Sequence, residues 1–175
     1  MGVTILRKRP MQNLLKQLIR DYAQFSFISS SEFCWSPKNK EVFYDSTQMT
    51  SRTGPWTLMH ELGHAILDHT TYNSDLQLIH LETAAWEEAK STATKYGYEI
   101  PEDYIQDCMD TYREWLHRRS ACPKCQTRSF QQSPDSYQCF NCQNTWTVSS
   151  SRFCRPYRRS EQKKTSPPKK KAMFI

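Results

Sequence analysis

Apolar side chains recur every three or four positions near the start of the chain, at Met11, Leu14, Leu15, Leu18, Ile19 and Tyr22. That spacing predicts an amphipathic helix over 10–24, packed against a core, and Pro10 suits a first helical turn. The period then shortens. "EFCWSPKNKEVFYD" places two short, aromatic, β-rich runs around "SPKNK", which has turn chemistry, so a β-hairpin is predicted at about 32–45. Residues 46–55 read as a polar loop. A helix starts near Trp56 and "HTTYNSDLQ" breaks it. A second helix runs from Ile79 to Tyr96, with Gly97 just past its end and Pro101 opening the next element. Residues 102–118 predict a third helix, with Ile105, Met109, Tyr112 and Leu116 along one stripe. A cysteine-rich module follows at 121–148. From about 155 the chain is rich in Lys, Arg, Ser and Pro, which predicts a disordered tail.

Composition narrows the classes. A chain of 175 residues can bury one good core with a small satellite. Hydrophobic residues make up 37%, and no apolar run approaches the roughly 18 residues of a membrane span. "MGVTILRKRP" lacks the apolar stretch of a secretory signal. Seven cysteines, two C-x-x-C pairs among them, then imply metal binding in a reducing compartment rather than a disulfide framework, so the expected location is cytoplasmic. The net charge of +6 is uneven. From Arg155 onward eight Lys or Arg face one Glu, a charge of +7 that leaves −1 on everything before it. The body is near neutral, and only the tail is basic.

The helix after Trp56 carries H-E-x-x-H, as His60, Glu61 and His64. Positions i and i+4 stack on one helix face, so two imidazoles can meet one ion. Glu61 lies about 100° around from His60, placed to take a proton from water. The pattern therefore offers two metal ligands, His60 and His64, and one catalytic base, Glu61, from a single stretch of helix. A third ligand has three possible sources. The metzincin pattern needs Gly at 67 and His at 70, and the chain has Leu67 and Thr70. A glutamate on the next helix is the second source, with Glu82, Glu87 and Glu88 as candidates. Helical phase favours Glu82, which shares a face with Ala85, Ala89 and Ala93, small enough for close packing. Glu88 is the alternative, on a face with Ser91, Thr92 and Lys95 that reads as exposed. An Asp is the third: Asp68 is placed to support His64 or the helix end. His69 and His80 read as loop or surface residues.

"CPKC" at 122–125 and "CFNC" at 139–142 stand 13 residues apart. Four thiolates, Cys122, Cys125, Cys139 and Cys142, complete a tetrahedral structural zinc site, and the strand-rich connector fits a zinc ribbon. "NTWTV" is its expected last strand, with Trp146 on the small core. Arg128, Phe130, Tyr137, Phe140 and Trp146 could contact nucleic acid, but the simpler expectation is that these aromatics make the ribbon's own core. Cys34 and Cys108 read as buried small hydrophobes, and Cys154 as a spare thiol.

Taken together, the hairpin "EFCWSPKNKEVFYD", then "TLMHELGHAIL", then "ETAAWEEA" resemble the ImmA/IrrE family of metallopeptidases over about residues 10–110. The chain departs from the family pattern at Asp68, where many members carry a further His, and at Ala84, often acidic. The resemblance implies a gluzincin-like site with His60, His64 and Glu82 on zinc and Glu61 as base. It also implies an α+β, zincin-like metallopeptidase domain at 1–118, before a β-rich four-cysteine ribbon at 119–150 and the basic tail at 151–175. The expected cofactors are two Zn2+ ions, one catalytic and one structural. The expected function is a zinc endopeptidase cutting a specific protein partner, for which the family suggests a helix-turn-helix repressor, with non-specific nucleic-acid contact through ribbon and tail and no membrane partner. Two alternatives stay open: a SprT-like protease acting on DNA-associated proteins, and a non-catalytic regulator that keeps the fold.

Overall fold

A computed structural model describes residues 11–149 and 158–160. It is a mixed α+β structure that divides into two compact units, Met1–Arg113 and Glu114–Ile175.

In the first unit, helix α1 (Met11–Asp21) buries Leu14 and Leu18 as its apolar stripe requires. The predicted hairpin forms from β2 (Cys34–Ser36) and β3 (Glu41–Asp45), which pair antiparallel. The sequence reading missed β1 (Ser26–Ser30), which lies parallel to β3 and gives a sheet of order β1-β3-β2. Strand β2 is therefore an edge. The expected polar loop contains a short 3-10 turn, Gln48–Thr50, organised by the buried Asp45 carboxylate. Asp45 accepts from the Thr47 hydroxyl at 2.6 Å, the Gln48 side-chain amide at 2.7 Å and the Thr47 backbone N–H at 2.8 Å. These bonds pull its carboxyl down to about 2, against the opposing effect of desolvation.

Helix α2 (Gly54–Ile66) buries Leu58, Met59, Leu62 and Ala65. Helix α3 (Asp75–Lys95) begins four residues earlier than the apolar pattern implied. Ser74 caps it by accepting from the Gln77 N–H, while Gln77 Oε1 accepts from the Asn73 N–H. The S-x-x-Q signal of a capping box sat inside the stretch read as a break. Both helices stop in the same way. Gly97 (φ 76°) follows α3, with Gly97 N–H donating to Thr94 O and Tyr98 N–H to Ala93 O. Asp68 (φ 51°) follows α2, with Asp68 N–H donating to Ala65 O and His69 N–H to His64 O. Each is a Schellman reversal, which needs one left-handed residue, usually Gly but tolerated by Asp.

Helices α2 and α3 meet almost backbone to backbone. Ala85, Ala89 and Ala93 are all fully buried on the α3 face. A Cβ placed on Gly63 would lie 2.4 Å from the Ala85 carbonyl oxygen, so Gly63 admits the second helix and not a substrate strand. Thr92, expected on an exposed face, is fully buried too. Helix α4 (Glu102–Arg119) buries Ile105 and Met109 as predicted, while Tyr112 and Leu116 are only half-buried.

In the second unit, β4 (Gln131–Ser133), β5 (Ser136–Gln138), β6 (Thr145–Val148) and β7 (Arg158–Ser160) form an antiparallel sheet in chain order. Tyr137 and Trp146 stack at 5.3 Å, and Trp146 Nε1 donates to Arg119 O. Arg119, which no local pattern marks for burial, is 1% exposed; its guanidinium lies 4.3 Å from the Trp115 ring and donates to Pro134 O. β7 corrects part of the disordered-tail expectation. The rest of that expectation, and Cys154, lie outside the described residues. Among the described residues no helix is long and apolar enough to cross a membrane.

Gly63→Ala is expected to destabilise the protein by about 1–3 kcal/mol through overpacking against Ala85. Gly97→Ala, strained only in its own backbone, is expected to cost about 1–2 kcal/mol. Urea unfolding checks both, and Gly63→Ala alone should also weaken metal retention.

Candidate metal centres

His60 and His64 stand one turn apart on α2, and Glu82 reaches them from α3 across the Gly63–Ala85 contact. His60 Nε2 and His64 Nε2 are 3.2 Å apart. Glu82 Oε2 lies 3.2 Å from the first and 3.6 Å from the second. A tetrahedral ion with bonds of roughly 2.0–2.1 Å spaces its nitrogen and oxygen corners about 3.3 Å apart. The three atoms fit three such corners.

The polar bookkeeping agrees with the distances. Glu82 Oε2 is buried and close to both rings, yet makes no well-directed hydrogen bond to either. Its Oε2 and the two imidazole Nε2 atoms are grouped closely enough to share one ion. Burial alone would raise the Glu82 carboxyl, but the two neighbouring imidazoles outweigh it and bring it down to about 2. The site is built to keep this carboxylate charged.

The other glutamates go elsewhere. Glu87 is exposed, and Glu88 accepts from the Thr92 hydroxyl at 3.3 Å. The group of donors that could hold a metal in this unit is His60, His64 and Glu82. Glu61, the residue after His60, is half-buried, and its Oε2 accepts from the Trp35 N–H at 2.8 Å.

Asp68 does not support His64. It is exposed and supplies the left-handed residue that ends α2. The reversal instead carries His69 back, and its Nδ1 lies 2.9 Å from His64 Nδ1. Burial, then the neighbouring His64, hold the His69 pKa below the ordinary imidazole value. The reversal puts His69 behind His64, a contact that its reading as a loop or surface residue does not anticipate. His80 is exposed, as expected. His60 is oriented differently: its ring stacks on Trp86 at 4.1 Å and 23°, and its buried Nδ1 has no hydrogen-bond partner among the described residues. Trp86 was not singled out from the sequence, although it sits four residues after Glu82 on the same helix.

The second centre joins Cys122, Cys125, Cys139 and Cys142, whose sulfur atoms all lie within 4.8 Å of one another. Cys122 Sγ is 3.7 Å from Cys142 Sγ, and Cys125 Sγ is 3.5 Å from Cys139 Sγ. Tetrahedral bonds of about 2.3 Å to sulfur give edges of about 3.8 Å. Backbone N–H groups are aimed at the sulfurs: Lys124 N–H lies 3.4 Å from Cys122 Sγ and Cys142 N–H 3.4 Å from Cys139 Sγ. The Thr127 hydroxyl and N–H beside Cys125 pull its thiol down to about 6. At Cys142 the Asn144 N–H lowers the pKa, but burial and the neighbouring thiols together push it up to about 12. Four sulfurs this close resist carrying several negative charges unless a cation shares them. Cys34 and Cys108 are half-buried and isolated from both centres as ligands; burial is the main cause that raises each thiol.

Of the four ribbon aromatics expected to make one core, Tyr137 and Trp146 do so. Phe130 is 80% exposed and Phe140 63%, while Arg128 donates to His117 Nε2 at 2.7 Å.

No family model, curated protein or solved structure matches the chain.

Elemental analysis of purified protein should find two metal ions per chain. Glu82→Gln is expected to remove the one held in the first unit, while Glu88→Gln leaves both. Cys122→Ser with Cys125→Ser should remove only the other.

Proposed function

We propose that the chain is a zinc-dependent endopeptidase of zincin-like fold that cuts a specific protein partner in the cytoplasm. The observation that carries the reading is the difference between the two centres. The cysteine centre has four donors, which closes a tetrahedral ion and suits structural zinc. The His60, His64 and Glu82 centre has three, which leaves a corner for water or substrate, and Glu61 stands beside it. When bound there, zinc supplies Lewis-acid chemistry that brings water within reach of a carboxylate base at neutral pH.

The chain's own residues then have definite tasks. His60, His64 and Glu82 hold the ion. Glu61 takes the proton of the attacking water and passes it to the leaving amine. Its Oε2 is fixed by the Trp35 N–H, which leaves the second oxygen to carry the proton. Edge strand β2 lies beside Glu61 through that bond. The resemblance to ImmA/IrrE metallopeptidases suggests a helix-turn-helix repressor as the partner. The SprT-like alternative is less well supported, because its later histidine has no counterpart among the donors gathered here.

A second reading concerns the ribbon unit. Residues 114–175 carry thirteen Lys or Arg against three Asp or Glu, while residues 1–113 carry eleven against fifteen. With Phe130 and Phe140 outside the ribbon core, charge and stacking favour contact between this unit and single-stranded nucleic acid.

Glu61→Gln should keep the metal and the fold but slow cleavage by about 10² to 10⁴. Wild type and variant are incubated with the product of a neighbouring repressor gene and followed by gel. Equal cutting by both would place the activity at another site, and tight binding without cutting by either would make the protein a binding module. For the ribbon unit, Phe130→Ala and Phe140→Ala should each weaken single-stranded DNA binding by about 1–3 kcal/mol. Fluorescence anisotropy reads this, and unchanged affinity in both variants would reduce the contact to charge alone.

A further inference from the structure

His64 presents Nε2 to Glu82 and His60, so a cation at the first centre takes the Nε2 lone pair. The ring proton of a neutral His64 must then sit on Nδ1. That nitrogen lies 2.9 Å from His69 Nδ1. Two ring nitrogens at this distance share one proton, with one donating and one accepting. Since His64 Nδ1 holds the proton, His69 Nδ1 accepts it, and His69 carries its own proton on Nε2. The contact fixes both tautomers at once.

His69 is itself fixed from two further sides. Its backbone N–H donates to His64 O, closing the reversal that Asp68 permits. Its carbonyl accepts from the Trp35 indole N–H at 2.7 Å. Trp35 also donates its backbone N–H to Glu61 Oε2 at 2.8 Å. One residue of edge strand β2 thus holds the group behind His64 with its side chain and Glu61 with its main chain. Among the described residues His60 Nδ1, which is buried, has no such partner, while Trp86 packs flat on the ring.

We propose that His69 is a positioning residue for the metal. By accepting from His64 Nδ1 it locks the ring in the tautomer and rotation that aim Nε2 at the ion, and Trp35 anchors it there. This rests on the reading of His60, His64 and Glu82 as metal ligands, but not on proteolysis.

The test uses the full chain loaded with zinc and challenged with a chromophoric chelator. Wild type should release metal in two phases, a labile one from the three-donor centre and a slow one from the four cysteines. His69→Leu should weaken the labile site by about 10- to 100-fold, the usual effect of losing a partner behind a metal-bound histidine. The cysteine phase is the internal control and should not move. His69→Gln, whose amide oxygen can accept, should recover part of the loss. Trp35→Phe should lose a smaller part, because the His69 N–H keeps its bond to His64 O. Unfolding of the metal-free variants separates a folding defect from a metal defect. Wild-type affinity in a folded His69→Leu, or no recovery in His69→Gln relative to it, overturns the proposal alone. A wild-type chain with no labile phase overturns the ligand assignment as well.

Discussion

The approach of Gly63 to the Ala85 carbonyl is the constraint on which the first unit depends. A Cβ on residue 63 would come within 2.4 Å of that oxygen, about 1 Å inside ordinary contact. Metal–ligand distances tolerate only about 0.2 Å. Moving α3 outward by 1 Å would therefore take Glu82 out of coordination range while leaving most of the apolar core in contact. The fully buried alanines at 85, 89 and 93 serve the same end from the opposite helix. Packing and ligand geometry are one requirement here: small residues at the crossing set the helix separation, and that separation brings a carboxylate on α3 to two imidazoles on α2.

What the sequence made legible follows from periodicity. His60 and His64 share a face because four residues nearly complete a turn, and Glu82 is distinguished from Glu88 by the alanines in phase with it. The four cysteines were legible because ligand spacing is local within each pair. The failures share a cause: each depends on where the chain stops being regular. His69 reads as a loop or surface residue, and its contact with His64 is made only because α2 reverses at Asp68. Asp68 occupies the left-handed position where Gly97 ends α3, and an Asp there gives no strong stop signal. Strand β1 is short and is completed only by its parallel partner β3, which no local pattern reveals. Arg119 looked like an ordinary basic residue at a helix end. Its burial depends on the Trp115 ring, the Tyr137 ring and Pro134 O, two of them distant in sequence.

The ribbon aromatics show the limit of composition in another way. Five residues capable of stacking looked alike in the sequence. Alternation within strands separates Tyr137 and Trp146, which pair directly across β5 and β6 and so face the same side. Phe140 lies immediately after a ligand cysteine, where the backbone is committed to the knuckle and its side chain is directed outward. An exposed Phe contributes little to folding, so Phe140 is free to serve a partner.

The two histidines of the first centre are held by different physics, and this has a consequence for how rigid each can be. Stacking of His60 on Trp86 restricts ring tilt, but it does not select which nitrogen carries the proton. A directed bond at 2.9 Å between His64 and His69 selects both rotation and tautomer. Selecting one tautomer removes the fraction of rings that would present a proton to the ion. At His60, where Nδ1 is buried and has no hydrogen-bond partner among the described residues, no contact makes that choice. His64 is therefore arranged by its neighbour and His60 is not. The strand whose Trp35 anchors His69 also holds Glu61, so one residue of β2 ties together both sides of the centre.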